Sequence, residues 1–327
     1  MFVKTGHRAP ALTGALAIFA GALTLVNAAR VTAATMEEPQ VSIQPRVTRA
    51  THSDIRVDTN LVLIAVSVTD RENQPVVGLA SDRFRVFEGK TEQRVRQVFR
   101  EDAPVSVGIV LDTSGSMKRN LPKEREAVVE FLKNANPDDE FFLVSFNNTS
   151  ELAVPFTADS DVIQSRLNNL GEYKGKTALL DATYLALHHM KDARNPRKAL
   201  LVISDGGDNH SRYSEAEIRR FVRESDVWIY AIGIYAEGPQ MLPEEERGGE
   251  KLLTDIAEET GGRQFPVYDA RELPALAAKI GLQLRNQYVL AYSPVKTEDD
   301  GKYRRVQVKL MEGRALRLSW RPGYYAR

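Results

Sequence analysis

Two apolar runs in this chain each end on an aspartate. Val107-Gly-Ile-Val-Leu-Asp112 leads into Thr-Ser114-Gly-Ser116, and Ala199-Leu-Leu-Val-Ile-Ser-Asp205 leads into Gly-Gly. Apolar runs of this kind read as strands buried on both faces, the signature of a parallel sheet covered by helices. In open α/β sheets ligands bind beyond the carboxyl ends of the strands. The pair of runs thus predicts an α/β domain with two carboxylates at its ligand-binding edge.

The pattern around these runs supports that architecture. From Val105 onward, strand candidates fall at 105–111, 140–146, 152–156, 199–204, 227–234 and 263–266. Helical stripes lie between them. Val128, Phe131, Leu132 and Ala135 follow i, i+3, i+4, i+7 spacing before Pro137, and Leu252, Leu253, Ile256 and Ala257 precede Gly261-Gly262. Ser214 and Glu217 form a capping box ahead of Ile218. A helix over 178–190 is apolar on most sides and predicted to be buried. Alternating strands and helices give a mostly parallel sheet with helices on both faces.

Outside this region the period is two. Leu61 to Val68, Phe84 to Val86 and Val95 to Phe99 read as strands before the α/β part, the last two flanking a turn at Glu88-Gly89-Lys90. Tyr288 to Tyr292 reads as one strand after it. Val306, Val308 and Leu310 then face the same way as Leu316, Leu318 and Trp320 across a turn with Gly313, which predicts a hairpin. Too few strands lie on either side to stand alone, so the expectation is a small β-sandwich-like domain built from both flanks, with the α/β domain inserted. The expected boundaries are 59–102 for the first part of the β domain, 103–287 for the α/β domain and 288–327 for the second part.

The front of the chain carries Lys4, His7 and Arg8 before an uncharged Ala/Leu-rich run from Ala9 to Val26, with small-residue exits at Val26-Asn27-Ala28 and Val31-Thr32-Ala33. Residues 1–33 read as a signal peptide or, uncleaved, as an N-terminal membrane anchor. Residues 34–58 read as a linker. The expected location is exported: periplasm, cell envelope or extracellular. With no cysteine, thiolate metal sites, disulfides and thioether lipid anchors are excluded. Lys plus Arg equals Asp plus Glu at 44 each, so net charge points to neither a nucleic-acid nor a membrane-surface partner.

The residues at the two strand ends suit a hard cation. Mg²⁺ takes about six oxygen ligands and usually keeps some water. Asp112, Ser114 and Ser116 alternate in a tight loop, Thr177 adds a hydroxyl from the Lys174-Gly-Lys-Thr177 turn, and Asp205 adds the second carboxylate. Two carboxylates and three hydroxyls leave such a metal electrophilic, ready for an acidic group from elsewhere.

Asp-x-Ser-x-Ser, a Thr in a Gly-x-Thr-Ala turn and a Ser-Asp-Gly together resemble the metal-ion-dependent adhesion site of von Willebrand factor type A domains. The resemblance implies a Rossmann-like domain and a bound Mg²⁺ (or Mn²⁺) at Asp112, Ser114, Ser116, Thr177 and Asp205. It also implies a protein partner whose Asp or Glu completes the coordination. The flanking segments, Val66-Ser-Val-Thr-Asp, Phe84-Arg-Val-Phe-Glu and Arg321-Pro-Gly-Tyr-Tyr-Ala326, look like those of bacterial exported "VWFA-related" proteins.

The expected function is a non-enzymatic, metal-dependent, adhesion-type binding module, with no catalytic residues. The alternatives are an envelope scaffold with a structural metal, and a phosphoryl-transfer enzyme with Asp112 as nucleophile. Several other residues carry weaker expectations. Asp208 reads as a group behind the metal ligands or a solvated loop acid. Asp181 reads as an orienter of the Thr177 turn or a cap of its own helix. His188 and His189 point apart on a helix and are assigned no function. Loop 236–250, with Glu244, Glu245 and Glu246, is either an acidic rim or a self-inhibiting arm that reaches the metal.

Overall fold

Buried β-branched and aromatic residues nucleate the sheet. Every residue of β5 (Val105–Asp112), β6 (Glu140–Phe146), β9 (Val227–Ile234) and β11 (Gln287–Tyr292) is buried. The computed structural model describes residues 61–101, 103–171, 175–235, 244–295, 300–311 and 316–326, all in the unit Val57–Arg327. The expected leader and linker, residues 1–58, lie outside the described residues.

The α/β part is a six-stranded sheet in the order β10-β9-β8-β5-β6-β7, with β7 (Ser150–Thr157), β8 (Arg197–Ser204) and β10 (Arg263–Val267) completing it. Only β7 runs antiparallel, against β6. Alternate side chains of each strand serve opposite faces. On one face Val105, Val107, Ile109 and Leu111 pack with α1 (Leu121–Leu132), α2 (Ser160–Asn168) and α6 (Leu273–Arg285). On the other, Val110, Phe142, Val144, Leu200 and Val202 pack with α3 (Leu179–His189), α4 (Glu215–Glu224) and α5 (Glu244–Glu258). The fold is α/β with helices on both faces. The chain steps from β5 to β6 on one side and returns to β8 on the other, so the strand order reverses between β5 and β8.

Two four-stranded sheets flank it, β13-β1-β11-β4 and β14-β12-β2-β3. The first holds β1 (Val62–Thr69), β4 (Val95–Glu101), β11 and β13 (Arg317–Trp320); the second holds β2 (Phe84–Glu88), β3 (Thr91–Gln93), β12 (Tyr303–Leu310) and β14 (Gly323–Tyr325). All their pairings are antiparallel. Ile64, Val66, Val68, Phe84, Val86, Tyr288, Leu290, Tyr292, Val306 and Val308 form one shared core, so the two sheets make a small sandwich from both flanks.

Two strand pairings differ from the sequence expectation. β12 and β13 are not a hairpin: β12 pairs with β2 and β14, while β13 pairs with β1. Their apolar alternation is real, but it points the two strands at each other across the core rather than side by side. The Trp320 indole N–H donates to the Val306 carbonyl at 3.0 Å across that gap. Similarly, β2 turns at Gly89 (φ +59°) onto the short β3, and the chain then crosses at Arg94 into the other sheet, where β4 pairs with β11. The turn therefore joins β2 to β3, and Val95 to Phe99 belong elsewhere.

The inserted domain enters from β4 and leaves through α6 into β11, which are neighbours in one sheet. The junction is polar and specific. Gln283 donates to the Asn73 carbonyl at 2.8 Å, and Arg263 to the Asn73 side chain at 2.9 Å. No helix among the described residues is long and apolar enough to cross a membrane.

Candidate metal centre at the strand-order reversal

The parallel register of β5 and β8 aligns Leu111 with Ile203. Asp112 therefore stands level with Ser204, and Asp205 follows one residue beyond. The Ser204 hydroxyl donates to Asp112 Oδ2 at 2.6 Å, tying the two strand ends together. Asp112 Oδ1 accepts the Ser114 amide at 2.9 Å, which curls the loop over the strand end. The Ser114 and Ser116 hydroxyls lie 3.1 Å apart, so both present to one point. Met117, buried below, anchors the turn. Gly115 sits at φ −63°, ψ −33°, a conformation open to any residue, so the bend does not draw on glycine's freedom.

Thr177 reaches the same edge through backbone ties. Its amide donates to Asn209 Oδ1 at 3.0 Å, and its carbonyl accepts the amides of Asn209 and His210, each at 3.0 Å. These bonds zip the Thr177 turn to the loop that follows Asp205. On its other side the Ala178 amide donates to the Asn147 carbonyl, and Thr113 bonds Phe146 through both amide and hydroxyl. One continuous network thus links the loops that carry Asp112, Thr177 and Asp205. Among the described residues the Thr177 hydroxyl has no hydrogen-bond partner. Lys174 lies outside the described residues.

Electrostatics mark the place. Burial pushes Asp112 up to about 7 from an ordinary 3.8, and the Asp205 charge pushes it further in that direction against the bonds from Ser204 and Ser114. A site that holds two facing acids, one of them fully buried, favours an added cation. The donor set fits a hard dication: carboxylate and hydroxyl oxygens, no sulfur and no imidazole. Among the described residues no three His, Cys, Asp or Glu side chains converge as a cage of their own, so any such ion draws on the hydroxyls.

Several residues behave differently from the sequence reading. Asp181 does not cap its own helix; it accepts the amides of Arg212 and Tyr213 at 2.9 and 3.1 Å. The cap of α3 comes instead from Asp208, which accepts the Leu180 amide at 2.8 Å, and from Ser211, which accepts that of Asp181. The two acids exchange places, each holding the other's element. His189 stacks on Phe156, and His188 stacks on Tyr184, along α3. Glu244, Glu245 and Glu246 open α5 rather than sit in a loop. Residues 236–243, and what those glutamate side chains reach, lie outside the described residues. Gly249 in α5 packs on the Asp205-Gly206 backbone so closely that a Cβ there would meet the Asp205 carbonyl at 2.7 Å.

Two residues of the site escaped the sequence reading. Ser204 looked like the last core residue of a strand. Glu124, in the first turn of α1, stands in a run of charged residues, Lys123-Glu-Arg-Glu126, that the sequence does not single out, yet it is fully buried. Among the described residues neither of its carboxyl oxygens has a hydrogen-bond partner. Burial holds its pKa well above the carboxylate range, and the charges of Asp112 and Asp205 raise it further.

Residues 107–207, which span β5 to the loop after β8, match the family model described as the von Willebrand factor type A domain. The solved structure of a von Willebrand factor type A protein from Catenulispora acidiphila superposes with a TM-score of 0.50 at 14% identity, covering 83% of this chain and 74% of that one. By sequence, the chain is 24% identical over 195 residues to a protein of Borreliella burgdorferi described as uncharacterized, covering 53% of this chain and 57% of that protein. It is also 26% identical over 132 residues to the pig (Sus scrofa) inter-alpha-trypsin inhibitor heavy chain H4, covering 37% of this chain and 14% of the other. The chain thus spans little more than half the length of the first of these relatives and a small part of the second.

Proposed function

We propose that the protein is an exported, non-enzymatic binding module. In this reading Asp112, Ser114, Ser116, Thr177 and Asp205 hold Mg²⁺ (or Mn²⁺), and the ion captures an Asp or Glu side chain of a protein partner. The bond from Ser204 to Asp112, in a network that also fixes Ser114, Thr177 and Asp205 at the strand-order reversal, is the observation that carries it. When bound, the ion supplies a Lewis-acidic position for an incoming carboxylate. The chain's own residues do the rest. The network fixes the loops, Ser114 and Ser116 present hydroxyls to one point, and only two carboxylates would ligate the ion directly. These features support the family's adhesion-site pattern in this chain.

A nucleophilic role for Asp112 is poorly supported. The position two residues on is Ser114 rather than a second acid, and His188 and His189 are stacked on Tyr184 and Phe156 along α3.

The test is binding of an immobilised chain to a set of acidic peptides and to isolated envelope proteins, in Mg²⁺ and in EDTA. Binding that requires the ion and disappears in Asp112→Ala, with the fold intact by circular dichroism, supports the module. Binding indifferent to EDTA, or phosphoester turnover lost in Asp112→Asn, refutes it.

A further inference from the structure

Glu124 is the anomaly of this molecule. A buried carboxylate without hydrogen bonds is costly. Protonation does not resolve the cost, because a carboxylic acid still carries an O–H that needs an acceptor, and none is provided among the described residues. Nor is the position forced by the helix. Glu124 lies three residues after buried Leu121 and four before buried Val128, on the face where an apolar side chain would pack. The sequence keeps a carboxylate there.

Its surroundings say what it is for. Glu124 sits in the first turn of α1, which follows at once the Ser116–Arg119 turn of the candidate centre, and its amide donates to the Asn120 carbonyl between them at 3.0 Å. The charges of Asp112 and Asp205 act on it from that centre, and Arg125 offsets them in part. That centre offers five side-chain oxygens, whereas Mg²⁺ takes about six ligands and keeps several as water, whose hydrogens need acceptors. A direct bond from Glu124 to the ion is not supported, because no three acids converge as a cage among the described residues.

We propose that Glu124 is a sixth member of the cation site, an outer carboxylate that accepts hydrogen bonds from water held on the dication. This rests on the metal reading above and extends it. The third carboxylate retains the ion when no partner is present, and it favours a small ion that keeps its water over one that sheds it. Acids placed behind metal ligands in this way typically contribute 10–100-fold in affinity.

Isothermal titration of the purified chain with Mg²⁺ and Mn²⁺ tests the proposal, alongside Glu124→Gln and Glu124→Leu. Metal-free thermal unfolding of all three is followed in EDTA. The expected result is a loss of Mg²⁺ affinity of about tenfold or more in both variants. The metal-free melting temperature of Glu124→Leu should be unchanged or raised, since an unsatisfied buried group has been removed, and that of Glu124→Gln should stay near the native value, since a neutral polar group replaces the acid. If the native chain binds Mg²⁺ and both variants bind it equally well, Glu124 has no part in the site. Failure of both variants to fold in EDTA also overturns the proposal, because the carboxylate would then be holding the core. A native chain that binds neither ion removes the metal reading itself, a result distinguishable from the other two.

Discussion

At the residue scale, Asp112 governs the behaviour of the candidate centre. Its pKa of about 7 in the fold exceeds the ordinary 3.8, so between those values the folded, metal-free chain holds a proton that the unfolded chain has released. Stability in EDTA should therefore fall as pH rises from about 4 to about 7, and level off above that. Glu124 acts in the same direction. A metal ligand must be deprotonated, so Mg²⁺ affinity should rise across the same window. Urea unfolding at several pH values, with EDTA and with saturating Mg²⁺, measures both trends; a flat EDTA profile would show that the buried acids do not titrate. Asp112→Asn should abolish the Mg²⁺-induced rise in melting temperature while leaving metal-free stability near or above the native value. Much of this site can be read in the sequence, because Asp112, Ser114, Ser116 and Asp205 sit where apolar runs stop. Glu124 was also within reach: it stands four and seven residues before Val128 and Phe131, on the stripe already assigned to the core. Its charge, among neighbours of both signs, masked its phase.

At the element scale, close backbone approaches position the loops. Gly206 adopts φ +81° and faces Gly249 of α5, so neither tolerates a side chain. Gly249→Ala should push α5 off the Asp205 loop and weaken Mg²⁺ binding more than it lowers the melting temperature, as titration and calorimetry would show together. The opposite end of the sheet is held differently. Asp139, completely buried, pairs with Arg285 of α6 and accepts the amides of Val105 and Asn136 at 2.9 and 2.8 Å. Asp139→Ala should destabilise by about 3–5 kcal/mol in chemical denaturation, the usual cost of breaking such a buried pair. Helices and parallel strands were legible here because period and caps speak for themselves. The exchange between Asp181 and Asp208 was not, since the helix each acid serves is decided by which loop folds beside it.

At the scale of the whole molecule, the α/β part carries all five candidate ligands, and the described residues of the sandwich carry none of them. Leu290→Ala in the sandwich core should cost about 2–5 kcal/mol and leave Mg²⁺ affinity unchanged; a shift in affinity would mean that the two cores are coupled through β11 and α6. Sequence alternation gave the inward faces of the sandwich correctly, yet misassigned the partners of β4 and β13. Period two says which side chains look at the core, and it is silent on which strand lies alongside.

The sandwich is threaded from both flanks, with β1 bonded to β11 and β13 and β2 to β12. During translation the first four strands emerge with open edges: β1 waits for both of its partners, and the β2–β3 pair waits for β12, until the entire inserted domain has left the ribosome. Open edges of this kind invite aggregation. The nascent chain should therefore depend on a holding chaperone for as long as the insertion takes to be made, and on rapid completion of its last four strands.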